Sequence, residues 1–163
     1  MSAYPSLRPF YHFPGWVIEN VSLSSGIAEV RLRIDERYKH PCPNCGVSMG
    51  ENRRVWQSVS DLPLSTANVA EIVYQAFQGR CPDCGAYHTF LPGGIDKNAK
   101  ATTRLMHYVC RLCRFMPVNK APEFLPISED TARRWDKKIL SQHLADPNLD
   151  DMRVLLIEEK SIG

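Results

Sequence analysis

Cys42-Pro43-Asn44-Cys45-Gly46 reappears further along the chain as Cys81-Pro82-Asp83-Cys84-Gly85. Two residues between the thiols let one tight turn present both sulfurs to a single ion. Proline stiffens that turn, and glycine supplies the positive φ by which the chain leaves it. Two such knuckles facing each other form a tetrahedral four-thiolate site, a donor set that suits Zn²⁺. With all four positions taken by protein, the expected role is structural: one ion held by Cys42, Cys45, Cys81 and Cys84. A redox dithiol would need no matching second knuckle. The 35 residues between Cys45 and Cys81 exceed the usual ribbon spacing and leave room for a hairpin.

A third pair, Cys110 and Cys113, lies in a stretch without Pro or Gly, where Leu105, Val109, Leu112 and Met116 recur at helical spacing. Small apolar thiols on a helix side read first as core. A second metal site drawing on His107, or a redox pair, are the alternatives, and no fourth ligand is evident. His88, after the second knuckle, is a spare ligand for a site that four cysteines already fill.

Outward from the knuckles, the chain alternates. Val30, Leu32 and Ile34 fall on one face and Glu29, Arg31 and Arg33 on the other, so residues 16–35 read as a β-hairpin turning at Ser24-Ser25-Gly26. Arg31, Arg33 and Arg37 are expected on a solvated strand face, with phosphate contact as the alternative. Val55–Leu62 and Val69–Phe77 read as the next two strands, with Trp56 and Phe77 as core residues. Knuckle, hairpin, knuckle is the layout of a zinc ribbon. A module so small has little core of its own, so metal would supply much of its stability.

The whole chain has 163 residues, 44% of them hydrophobic and 23% charged, values for a folded domain or two small ones. No apolar run approaches a membrane span, and Met1–Trp16 lacks the continuous apolar core of a signal peptide, so an intracellular chain is expected. Charge is unevenly spread. Residues 97–138 hold 10 basic and 4 acidic side chains, against 8 and 9 in residues 1–96 and 2 and 5 in residues 139–163. A basic middle is the footprint of a polyanion partner, phosphate attraction being the reason.

That basic segment reads as helices. One is expected over about 99–115, ended by Pro117, and a short one over about 118–124, compromised by Pro122. A third runs over about Glu129–His143, with Ser128 as its N-cap and Glu129 and Asp130 in the first turn. On a helical wheel Ala132, Trp135 and Ile139 share a narrow buried arc. Asp130, Arg133, Arg134 and Lys137 lie opposite, and Thr131 and Lys138 flank them. A short helix, a turn and a following helix with a basic face is a helix-turn-helix layout. Such a helix fits the major groove: arginine binds guanine bidentately, lysine meets phosphate or guanine, Asp130 accepts from cytosine, and the Ser128 and Thr131 hydroxyls touch phosphate. Pro92-Gly93-Gly94 marks the boundary between the two modules. The expected fold class is therefore α+β: β-hairpin arm and zinc ribbon over 1–95, helix-turn-helix over 96–143, and an acidic tail over 144–163.

In this order the parts resemble the N-terminal region of bacterial ISL-type insertion-sequence transposases. The matching residues are the two knuckles, Asp61-Leu62-Pro63-Leu64, Thr89-Phe90, Ile127-Ser128-x-x-Thr131-x-Arg133-Arg134, Pro147-Asn148-Leu149 and Leu156-Ile157-Glu158-Glu159-Lys160-Ser161-Ile162. The resemblance implies recognition of double-stranded DNA at a transposon's terminal inverted repeats, in the nucleoid-associated bacterial cytoplasm. It also implies an RNase H-like catalytic domain beyond this region, whose first carboxylate is an aspartate where this chain has Glu158. The sequence ends at Gly163, before the family's other carboxylates, so no catalytic residue is assigned and no strand cleavage is expected. Adjacent Glu158 and Glu159 would point to opposite faces of a strand and make no shared site. No membrane or small-molecule substrate is expected. A homodimer would suit two-fold DNA sites, although no heptad seam indicates one. The competing reading is a protein-interaction module or transposition regulator whose ribbon or aromatic arm docks a partner.

Overall fold

The structure, a computed structural model, describes residues 11–64, 67 and 69–143. The tail over 144–163, with Glu158, lies outside the described residues. The fold is mixed α+β. Seven strands form one sheet: β1 (Trp16–Ser24), β2 (Ile27–Ile34), β3 (Gly50–Asp61), β4 (Val69–Arg80), β5 (Tyr87–Phe90), β6 (Ile95–Asp96) and β7 (Ala101–Thr102). Three helical segments follow: α1 (Thr103–Cys113), a 3₁₀ turn (Val118–Glu123) and α2 (Glu129–His143).

The expected hairpin and ribbon strands are present, but they are not separate. β4 is the shared strand. On one side it pairs antiparallel with β3 along its length. On the other, its first half pairs in parallel with β2 and its last four residues pair with β5. The N-terminal hairpin and the knuckle-bearing ribbon are thereby one sheet. The reason is in β4's pattern: Ala70, Ile72, Tyr74 and Ala76 are buried, giving β2's buried Val30 and Leu32 a matching apolar row. Val30, Leu32, Ile72, Tyr74 and Ala76, with Tyr11, Trp16, Ile18, Ile34, Val59 and Phe77, make the main core. Trp16 donates its indole N–H to the Gln75 carbonyl at 2.7 Å, so the buried ring has its polar edge satisfied.

Trp56 departs from expectation. It is 45% exposed on the sheet's outer face, with the Arg31 guanidinium 5.4 Å from its ring. It lies opposite Gln75 on the face away from Tyr74, so strand parity turns it outward. Phe77 is buried, as expected. Arg31 and Arg37 pair with Glu29 and Asp35 at the solvated surface.

The first helix starts later than its composition suggests. Asp96 accepts the backbone N–H groups of Asn98 and Ala99, Lys100 sits at φ 50°, and Ala101 pairs with Ser60. Only at Thr102, whose Oγ1 accepts from the Leu105 N–H at 3.3 Å, does the helix begin. The segment with Pro122 adopts the tighter 3₁₀ form and still buries Ala121. α2 matches its predicted bounds, capped by Ser128 Oγ accepting from the Thr131 N–H at 3.2 Å. Ala132, Trp135 and Ile139 are buried against Leu105, Met106, Val109, Cys110, Ala121 and Leu125 in a second core.

A buried polar tie joins this second core to the sheet. Asp61, at the end of β3, has a fully buried side chain. It accepts from Thr102 Oγ1 at 2.6 Å and from the Arg104 Nε at 2.7 Å, and the second guanidinium nitrogen pairs with its other oxygen. Tyr11 lies beneath, its ring 4.5 Å from the Arg104 guanidinium carbon. The residue that accepts from the helix cap is thus the last residue of the ribbon hairpin's first strand.

Candidate metal centre and basic helical face

The two knuckles are built alike. In each, the glycine N–H bonds back to the first cysteine's carbonyl: Gly46 to Cys42 at 2.8 Å and Gly85 to Cys81 at 3.1 Å. In each, the first cysteine's N–H bonds forward, Cys42 to Val47 at 2.8 Å and Cys81 to Ala86 at 2.9 Å. Both glycines are left-handed, at φ 76° and 71°, which a side chain would resist. The first knuckle leads through Met49 into β3, and the second closes β4 and turns into β5. Pairing β3 with β4 therefore brings the knuckles together at one end of the sheet.

All four sulfurs lie within 4.8 Å of one another. Across the knuckles, Cys45 and Cys81 approach to 3.4 Å and Cys42 and Cys84 to 3.6 Å. A tetrahedral ion with bonds of about 2.3 Å to sulfur sets its ligands about 3.8 Å apart, so the cluster is close to that size. Cys42 and Cys81 are buried beside Met49 and Phe90, and Cys45 and Cys84 are exposed. The Cys81 thiol is pulled down to about 7, chiefly by the backbone N–H of Cys84. At Cys45 the Val47 N–H acts downward, but the shared contact with Cys81, burial and the other two sulfurs prevail and carry it up to about 12. A cation would relieve that crowding by replacing shared protons. This cluster can hold a metal ion.

His88 is not part of the cluster: it lies on β5, tilted against Phe90. His40, two residues before the first knuckle, belongs to no metal-ligand motif. Its ring sits between Trp16, Tyr38, Phe77 and Phe90, with centroids 4.5–5.2 Å away, and burial lowers its basicity. It packs the knuckle onto the main core. The only sequence hint was its place beside Pro41 and Cys42.

Cys110 is buried in the second core and Cys113 is half-buried. Burial raises both thiols, and Asp136 beside them adds to the rise. Among the described residues they join no cluster of three metal-ligating groups.

The seven side chains singled out around the third helix all lie on α2 or its cap. Ser128, Asp130, Arg133, Arg134 and Lys137 are exposed, and Thr131 and Lys138 are half-buried. They are not equally available. Ser128 and Thr131 share a hydroxyl–hydroxyl bond of 2.9 Å. Arg133 pairs with Glu129 at 2.6 Å, one turn back. Lys138 reaches off the helix to Asp96 and ties α2 to the end of β6. Arg134 and Lys137 have no ion-pair partner among the described residues. No described helix is long and apolar enough to cross a membrane.

Comparison with known proteins adds nothing to this geometry: no family model, curated protein or solved structure matches the chain.

Proposed function

We propose that this protein is a zinc-stabilised, sequence-specific double-stranded DNA-binding protein. The 3₁₀ turn and α2 act as a helix-turn-helix, with α2 as the reading helix. The observation that carries the reading is the outer face of α2. Arg134 and Lys137 stand there without an ion-pair partner among the described residues, on a helix whose N-cap is made and whose opposite face is buried through Ala132, Trp135 and Ile139. A rigid helix presenting unneutralised cations is suited to a major groove. Four thiolates at tetrahedral spacing favour Zn²⁺ over harder ions. Resemblance to transposase N-terminal regions supports a transposon end as the site.

Incubating zinc-loaded protein with random duplexes and sequencing the bound fraction tests this. One enriched motif is expected, and Arg134→Ala should cost about 1–3 kcal/mol on that motif if the side chain reads a base. No enrichment by a folded protein containing one zinc per chain would reject the reading. A second reading, docking of another protein, draws on Phe115 and Phe124 of the helical region, exposed at 81% and 59%. It predicts self-association or a stable complex with little dependence on salt.

A further inference from the structure

The basic segment holds more than α2. Of its ten cations, four are neutralised: Arg104 by Asp61, Lys120 by Glu123, Arg133 by Glu129 and Lys138 by Asp96. Among the six without an ion-pair partner in the described residues, Arg111 and Arg114 belong to α1 and its C-cap. With His107, one turn before Arg111, they line one side of a concavity of about 360 Å³ between α1 and α2. His143, in the last turn of α2, lines the other side, its ring 5.4 Å from that of His107. Cys110 and Ile139, both buried, form the floor. Among the described residues no carboxylate lines the concavity. The nearest placed by its contacts, Asp136, engages the Cys110 thiol.

Favourable dipole contacts at two helix C-termini would account for one cation each. They do not account for two arginines and two imidazoles converging on one hollow with an apolar floor. Arg111 and Arg114 are three apart, so they are neighbours on one helix face. Guanidinium groups so placed bind phosphate oxygens bidentately, and imidazole N–H groups donate to the remaining oxygens. The geometry points to a phosphate-binding groove between α1 and α2, separate from the reading face of α2. This inference rests on the DNA-binding reading, and its ligand is a backbone phosphodiester of the duplex that α2 engages.

Two arms test it on the full, zinc-loaded chain. In the first, inorganic phosphate is titrated while the side-chain resonances of Arg111, Arg114, His107 and His143 are followed by NMR. Saturable shifts at these groups, with Arg134 unmoved, are expected, and no shift at the groove overturns the proposal. In the second, duplex affinity is measured from 50 to 200 mM salt for wild type, Arg111→Ala/Arg114→Ala and Arg111→Lys/Arg114→Lys. Two lost phosphate contacts should lower the log–log salt slope by about 2, so the alanine variant loses about twelve-fold less affinity across that range. Sequence preference should persist, and the lysine variant should recover the slope. Sequence-specific binding with an unchanged slope would refute the groove and leave the DNA reading intact. Groove shifts with phosphate but no duplex binding by wild type would refute the DNA reading, and with it the assignment of the ligand.

Discussion

Replacing Asp61 by Asn should loosen the helices from the sheet. The Asp61 carboxylate is fully buried, accepts from Thr102 Oγ1 and Arg104 Nε at 2.6 and 2.7 Å, and takes a further bond from Arg104. Breaking a buried ion pair from one side costs about 3–5 kcal/mol. The Arg104 side chain is 33% exposed and keeps some water, and that screening brings the cost below the range, to about 2–3 kcal/mol. For a chain of this size, that is a fall in Tm of about 5–10 °C. Thr102→Val should cost about 1 kcal/mol through the lost α1 cap. Because Asp61 and Thr102 share a bond, the two changes together should be non-additive by more than about 0.5 kcal/mol. Urea unfolding of the metal-loaded protein, followed by circular dichroism, reads these values. Hydrogen exchange locates them: α1 amides should exchange faster in Asp61→Asn while those of the knuckles hold. A loss below about 0.5 kcal/mol, or strict additivity with Thr102→Val, would refute the claim that this carboxylate joins the two parts.

Gly79→Ala should cost about 1–3 kcal/mol, because its Cβ would run into the Gly50 carbonyl oxygen of the paired strand. The same variant should release metal faster, since Gly79 lies two residues before Cys81; unchanged stability and release would refute the close approach. Asp96→Asn should cost up to about 1 kcal/mol at neutral pH, the Lys138 ammonium beside Asp96 being the main cause of its lowered pKa. A depressed carboxylate contributes above its ordinary range and loses that contribution only as pH falls through its own lowered value. The penalty should therefore be flat from pH 8 to 5, and fading within that window would contradict the tie. Trp56 is 45% exposed while Trp16 and Trp135 are 7% and 3% exposed. Iodide should therefore quench mainly Trp56, and Trp56→Phe should remove most of the quenchable emission; quenching unaltered by that change would place the ring inside.

The parts written in local spacing were legible without coordinates. The knuckles repeat a motif whose turn needs only its own proline and glycine. The β1–β2 hairpin follows from alternation around Ser25-Gly26. α2 was predicted at its observed bounds because its cap, first-turn acids and buried arc all lie within one short segment. Trp56 was misassigned because an aromatic on a strand has the same local signature inside and outside, and only pairing parity tells them apart. The late start of α1 was hidden because Asp96, Lys100 and Ala101 take their roles from a turn and from Ser60 on another strand. Asp61 stood out only as part of a family-like segment, with no physical role attached.

The sequence by itself determined the elements: which residues alternate, which repeat at helical spacing, and which four cysteines form a donor set. Those properties are set by neighbours a few positions away. Tertiary structure alone decided that β2 pairs with β4 and merges arm and ribbon into one sheet. It alone decided that Asp61 takes hold of the α1 cap, that Lys138 is drawn to Asp96 while Arg134 and Lys137 find no ion-pair partner among the described residues, and that Arg111 and Arg114 meet His143 across a groove. Partnership between charges depends on which surfaces the fold brings within a few ångströms, and no local pattern encodes that distance.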